Sequence, residues 1–276
     1  MIKEKVKKYG VLSYTAEPTY NIGDDIQTLA AIDLLKENNI NHYIPIDRER
    51  LSSYHGEPIS LVMNGWFMNN IDHFPPSPEI TPLFIAFHCQ YEEIIKNNIS
   101  YFKEYEPIGC RDEYTKKLFE KYDVEAYFSG CLTLSFSENF EKRGAESYLV
   151  DIYMQNEKFN NVDHWIAHWP NGENIARDFN TRIEKANSLL NLYRSAKLIM
   201  TSRLHCTLPC RAFNTDVIFI HDNYKSDPRF EGLEKYINGA DGHNSIDLNK
   251  RQIDRSIIDD RRKVIKQQFK SLLTRL

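Results

Sequence analysis

The chain has no apolar run approaching the roughly 18 residues needed to cross a bilayer, and it has no excess of positive charge. Lys and Arg number 35 against 39 Asp and Glu, a net charge of -4. That removes the global basic field with which proteins hold nucleic acid, and no nucleic-acid partner is expected. Cysteine is sparse: Cys89, Cys110, Cys131, Cys206 and Cys210 are odd in number and scattered through apolar segments. They read as reduced thiols in a cytoplasm, not as a disulfide framework. Repeats of 20–50 residues and low-complexity tracts are absent. No strong metal-ligand spacing stands out, so no metal is expected. Cys206 and Cys210 lie one helical turn apart, but a lone pair is core packing before it is a site. The amino-terminal MIKEKVKKYG is basic yet leads into no long apolar core, and it is not read as a secretory signal.

What is present is an ordinary soluble composition, 41% apolar and 27% charged over 276 residues, enough for one large or two medium domains. Apolar runs alternate with helical periodicity. Strands are expected at 8–13, 42–46, 59–64, 83–87, 107–110 and 126–128, the second at a sheet edge because of Pro45. Helices are expected at 26–38, 91–103 and 113–121. After a polar stretch at 137–147, read as a linker, a second set follows: strands at 148–153 and 165–168, a helix at 180–194, then strand, turn, helix and strand over 196–220. This is the pattern of open parallel sheets. Two Rossmann-like halves are expected, residues 1–140 and 141–276. The tail, about 250–276, reads as an amphipathic closing helix with a solvated basic face. The alternative for that face is contact with anionic lipid.

Residues 196–220, AKLIMTSRLHCTLPCRAFNTDVIFI, carry the strongest chemistry. Thr201 and Ser202 are N-cap residue types, which puts Arg203, Leu204 and His205 in a first helical turn. Free backbone N–H groups and the helix dipole favour an anion there. A cation and an imidazole at that end imply something negative opposite them. Arg203 supplies a planar fork for phosphate or carboxylate, and His205 a group that moves a proton near neutral pH. In open α/β sheets ligands sit beyond the carboxyl ends of the strands. Those ends carry Asn64, His88, Arg111, His168 and the Arg203–His205 turn, with Asn21, Gly23 and Asp24 on the first loop.

The order of Asn21-Ile22-Gly23-Asp24, Asn64-Gly65-Trp66-Phe67, Phe84–His88, Ile108–Asp112, Tyr127–Leu134 and Thr201–Cys206 resembles the polysaccharide pyruvyl transferase family. The resemblance runs through nearly the whole chain. It implies a two-Rossmann-domain fold like that of GT-B glycosyltransferases. It also implies transfer of pyruvate from phosphoenolpyruvate, the donor and not a cofactor, onto two hydroxyls of a sugar, giving a cyclic ketal and phosphate. On this expectation His205, Arg203, His168 and His88 serve catalysis. Arg111, Asn21, Gly23, Asp24, Ser202 and Asn64 bind substrate. The acceptor is a sugar, lipid-linked in one version, and the enzyme is cytoplasmic, working at the inner membrane face if the basic tail touches lipid.

Each residue has a plainer alternative. Arg203 could pair with an acid across the halves, Arg111 with Asp112, and Asp24 could be a helix cap. His88 could be a hydrogen-bonded core histidine, and Trp66, Trp165 and Trp169 packing groups. The competing functions are a glycosyltransferase using a nucleotide sugar, and a non-catalytic glycan or anion binder, the latter disfavoured by the presence of both Arg203 and His205.

Overall fold

In the computed structural model, residues 7–16, 20–138, 143–153, 159, 162–168, 178–242 and 245–275 are described. The expected domain boundary at 140/141, part of the expected linker, and Trp169 lie outside them.

The first half runs β1 (Tyr9–Ser13), α1 (Ile22–Glu37), β2 (Ile44–Asp47), β3 (Ile59–Phe67), β4 (Ile80–Cys89), α2 (Glu92–Lys96), α3 (Ile99–Glu104), β5 (Ile108–Cys110), α4 (Glu113–Lys121) and β6 (Ala126–Phe128). The second runs β7 (Ser147–Val150), β8 (His164–Ile166), α5 (Phe179–Ser195), β9 (Leu198–Thr201), α6 (Leu204–Phe213), β10 (Val217–His221), α7 (Glu234–Ile237), β11 (Ala240–Asp241) and α8 (Arg255–Thr274). The first sheet has the order β2-β1-β3-β4-β5-β6, the second β11-β10-β9-β7-β8. The strand pairs in both are parallel. β2, with Pro45, is an edge strand, where the missing N–H costs no ladder bond.

One apolar cluster spans both sheets. It joins Val11, Val62 and Ile85 of the first to Val150, Ile199 and Val217 of the second through Ile26, Leu190, Leu208 and Phe269 of the intervening helices. The far face of the first sheet carries a separate aromatic cluster built on Phe84, Phe87, Phe102 and Phe119.

The junction also holds a buried ion pair. Arg182 of α5 grips Asp25 of α1 with both forks, Nε at 2.9 Å and Nη2 at 3.0 Å, each side chain 2% exposed. The guanidinium lies 4.4 Å from the centre of the Tyr20 ring. Burial pushes the Asp25 carboxyl up to about 6 against the opposing pull of Arg182.

Several elements depart from the sequence reading for local reasons. α1 starts at Ile22, earlier than expected, because the Asn21 side chain caps it by accepting from Gly23 N. The helix expected at 91–103 is two short ones. Asn98 Nδ2 turns back to the carbonyl of Ile94 at 2.8 Å, the competition by which Asn interrupts helices. β3 and β4 run past their expected ends, so Asn64 and His88 lie inside strands. β4 also bulges against β3: Met63 pairs with Phe84 but Gly65 with Phe87. The extra residue includes Ala86, at φ 53°, and the slip puts Phe84 and Phe87 in one cluster and Ile85 and Ala86 in the other.

The basic side of α8 is only partly the solvated face expected: Lys263 and Lys270 are exposed, but three arginines are not. Arg255 donates to the carbonyls of Arg211 and Ala212. Arg262 donates to those of Phe136 and Ala212, and Arg261 to the carbonyls of Phe128 and Ser129 and to the Tyr236 hydroxyl. These guanidiniums satisfy the last carbonyls of α6 and hold the tail to both halves. Arg143 completes the set by donating to Phe213 O at 2.6 Å. Among the described residues no helix is long and apolar enough to cross a membrane.

Removing one partner of the Asp25–Arg182 pair leaves a buried uncompensated charge. Arg182→Ala is expected to cost about 3–5 kcal/mol in urea unfolding. The double change Asp25→Leu with Arg182→Met should recover most of that loss. Equal destabilisation by the double variant would mean the contact is packing and not charge.

Candidate active site

Where the carboxyl ends of the two sheets meet lies a cavity of about 360 Å³. The start of α1 contributes Asn21, Gly23 and Asp24 to it, and the turn after β5 contributes Arg111. The turn from β9 into α6 contributes Ser202, Arg203, Leu204 and His205. His168 follows β8, and His221 and Arg229 lie on and after β10. Eight of the ten residues expected at the site from sequence are therefore in one wall or another of one cavity.

The other two are not. Asn64 is 1% exposed and spends its amide on the carbonyl of Gln27, tying β3 to α1. His88 is fully buried one layer behind Arg111. Its Nδ1 lies 2.6 Å from Asp112 Oδ2 and 3.1 Å from Thr115 Oγ1. Asp112 Oδ2 is also 3.3 Å from Arg111 Nε. Burial, reinforced by Arg111, pushes the His88 imidazole below its ordinary value. Asp112 is held below the carboxylate range: burial would raise it, but His88 and Arg111 outweigh burial. His88 thus supports Arg111 from behind and does not face the cavity.

The α6 start differs in detail from the sequence reading. Arg203 itself is the N-cap, extended at φ -104° and ψ 127°, and no side chain caps the helix among the described residues. Thr201 Oγ1 accepts from Arg203 N, and Ser202 Oγ donates to the Asp151 carbonyl, so neither expected cap residue caps. Free backbone N–H groups at such a helix start, next to Arg203 and His205, are the kind of environment that favours an anion.

Arg203 is also an ion-pair partner, within its own half and not across the halves. Its Nε lies 2.5 Å from Asp151 Oδ2, while its side chain stays 34% exposed. Asp151, at φ 52° and 4% exposed, takes the backbone N–H of His168 on both oxygens at 3.2 Å. One carboxylate therefore sets both Arg203 and His168. The His168 ring is bonded at Nε2 to the buried Tyr193 hydroxyl, whose own pKa burial holds well above 10. Asp151 and Tyr193 escaped the sequence reading, and nothing in their local sequence marks them.

Asp24 and His205 form the acid–base contrast of the cavity. Burial raises the Asp24 carboxyl above its ordinary range, against Arg48, Arg182 and Arg111. Its oxygens accept from Gln27 Nε2 and Asn21 Nδ2, each at 3.1 Å. Burial, with Arg111 and His168 nearby, holds the His205 imidazole well below 6.5. His205 Nε2 is out of solvent with no hydrogen-bond partner among the described residues. Gly23 lets α1 approach this ring: a Cβ there would stand 3.3 Å from both His205 Cβ and Nδ1.

The sequence reading also missed Arg48, Asn69, Gln90, His221 and Arg229, and placed Trp66 in the core, although all six line the cavity. Arg48 follows the edge strand β2 and is 1% exposed. The one available signal was a charged side chain directly after a strand.

Fold and site together define an α/β protein of two Rossmann-like parallel sheets, with a cavity at their carboxyl ends lined by Arg111, Arg203, Arg229, His168, His205 and Asp24. Residues 21–223 match the family model described as polysaccharide pyruvyl transferase, and the chain belongs to that family of transferases. A solved structure of a functionally uncharacterized protein from Klebsiella pneumoniae subsp. pneumoniae is similar to 81% of this chain and 87% of its own. Its TM-score is 0.52 and its identity 15%, so what is shared is the fold. No protein with a curated function matches the chain.

Two outcomes follow for the site. Gly23→Ala should lower both stability and turnover, since the added Cβ would stand 3.1 Å from the capping Asn21 Oδ1 and 3.3 Å from His205, outweighing the helix preference of Ala. Parallel thermal unfolding and activity measurements separate the two effects. His88 and His205 both bind a proton more readily in the unfolded chain, whose ordinary value is 6.5. These two histidines therefore take stability away as pH drops from about 7 to about 5, while Asp25, raised to about 6, adds stability over the same range by taking up its proton in the folded chain. Relative to the wild type, His205→Asn should change the slope of melting temperature against pH over that range in the direction of less loss at low pH, and an unchanged slope would remove His205 from the account.

Proposed function

We propose that this transferase moves the pyruvyl unit of phosphoenolpyruvate onto two hydroxyls of one sugar, forming a cyclic ketal and releasing inorganic phosphate. The observation that carries the reading is the open start of α6, with Arg203 and His205 on it and Arg111 in the same cavity. Phosphoenolpyruvate has two anionic ends held apart by a short rigid enol, and these groups offer two separate cationic clamps.

Asp24 and His205 divide the proton work. Asp24, whose carboxyl burial shifts toward the protonated form against the nearby arginines, can deliver a proton to the methylene carbon, which becomes the methyl group. An imidazole kept neutral accepts the proton that the attacking hydroxyl loses as its oxygen bonds to C2. The C2–O bond to phosphate breaks with the electron pair leaving on phosphate, where Arg203, Arg111 and the α6 N–H groups meet the growing charge. The second hydroxyl then bonds to C2 and closes the ketal, its proton passing to the departing phosphate. One phosphoenolpyruvate and one diol give one ketal and one phosphate, with no redox change. Asp151 and Tyr193 hold Arg203 and His168 in place without touching the reacting atoms.

Phosphoenolpyruvate at millimolar concentration should raise the melting temperature of the wild-type protein, with stabilisation growing to about 2.7 kcal/mol at a hundred times Kd. Arg203→Ala should abolish the rise. A nucleotide sugar that raises the midpoint where phosphoenolpyruvate does not would replace this reading with glycosyl transfer.

A further inference from the structure

The cavity has two chemically distinct walls. The α6 start, His168, His221 and Arg229 make one cationic. The other, at the carboxyl ends of β3 and β4, presents Trp66, Asn69 and Gln90. We propose that this second wall is the subsite for the acceptor sugar, with the pyranose seated against the Trp66 indole and its hydroxyls read by the two carboxamides. The inference rests on the pyruvyl-transfer reading above.

Trp66 is a fixed plate. Its indole Nε1 donates to Gln90 Oε1 at 3.3 Å. The Arg48 guanidinium lies 5.0 Å from the centre of its ring and 4.9 Å from that of Tyr14. Arg48 Nη1 also donates to the Trp66 carbonyl at 2.9 Å, which ties the Trp66 backbone to Arg48. Arg48 brings little charge to a ligand here, because its Nε is paired with Glu49 at 2.9 Å. Asn69 is anchored to the same Glu49 through its backbone N–H and its Nδ2, at 3.5 Å and 3.3 Å.

The groups left to face a ligand suit a neutral polyol. An aromatic plate matches the C–H face of a pyranose. Carboxamides both donate and accept, as hydroxyl groups do. The bond from Trp66 to Gln90 Oε1 directs the Gln90 amide nitrogen away from the indole, as a donor for a hydroxyl oxygen. An anion would find Arg203 and Arg229 on the opposite wall and Arg111 at the junction of the two.

Topology brings the two walls together at one point. Gln90 follows β4 and Arg111 follows β5, and these strands are neighbours, Phe87 pairing with Cys110. Phe87 and Cys110 stand about 4.8 Å apart across the ladder, and Gln90 lies two residues farther along its strand than Arg111 does along its own. A sugar on Trp66 would therefore present its hydroxyls to a donor held by Arg111, which is the juxtaposition that ketal formation needs.

The test uses methyl α-glucoside, methyl α-galactoside and methyl α-mannoside, which differ in the orientation of single hydroxyls. Binding is read by saturation-transfer NMR and by tryptophan fluorescence in a Trp165→Phe, Trp169→Phe background. Phosphoenolpyruvate binding is followed in parallel by thermal shift. At least one glycoside is expected to bind and perturb Trp66. Trp66→Ala and the surface change Gln90→Ala should each weaken that glycoside on the order of tenfold, about 1.4 kcal/mol, while the phosphoenolpyruvate shift is retained. Gln90 is exposed, so its variant tests the wall even if Trp66→Ala fails to fold. Unchanged glycoside affinity in Gln90→Ala and Trp66→Ala with the phosphoenolpyruvate shift intact would overturn the subsite. So would binding of phosphoenolpyruvate with none of the three glycosides registering. Absence of any phosphoenolpyruvate shift in the wild type would instead bring down the transfer reading beneath it.

Discussion

The bidentate pair between Asp25 and Arg182 joins residues 157 positions apart in sequence and fixes how the two sheets meet. Asp24, the next residue on α1, lines the cavity, and so does Gly23 against His205. The amide of Ile22 donates to the carbonyl of His168 from the other half at 3.3 Å. The first turn of α1 is therefore bonded on both sides to the second half, and the opposing walls of the cavity inherit their separation from it. Two buried charges in a bidentate geometry specify one docking angle, which an apolar contact of the same area would leave free to slide.

Helix α6 is the second constraint, because its two ends are treated oppositely. Its amino end is left open toward the cavity. Its carboxyl end is crowded by Arg143, Arg255 and Arg262, each donating to a last-turn carbonyl. Cations at the negative pole remove the cost of that pole and leave the positive one available. The anion site thus extends the length of the helix, although a ligand would meet only its first turn.

Much of this was legible in the sequence. The alternation of apolar runs and helical periods depends on local patterning, and it located the two parallel sheets. The Arg203–His205 motif was legible because an arginine and a histidine directly after a strand are chemically conspicuous. The residues that place those groups were not, since Asp151 and Tyr193 act through distant contacts that leave no local mark. His88 and Asn64 misled for a related reason. β3 and β4 extend beyond the range that periodicity indicated, and the bulge at Ala86 shifts the strand register, so residues expected at strand ends became interior ones. The arginines of α8 read as a solvated stripe because spacing alone cannot distinguish a guanidinium facing water from one facing a helix terminus.

The arginines of α8 also bear on the order in which the molecule can be made. The first sheet is complete once residue 128 has left the ribosome, with the α1 face that will meet the second sheet still bare. The strands and helix that bring Arg203 and His205 follow, but the guanidiniums that seat the far end of α6 emerge only with residues 255–274. A nascent chain would carry a folded first half and an apolar docking face for much of its synthesis. The cavity, whose walls come from both halves, would take shape only after the second half has been made.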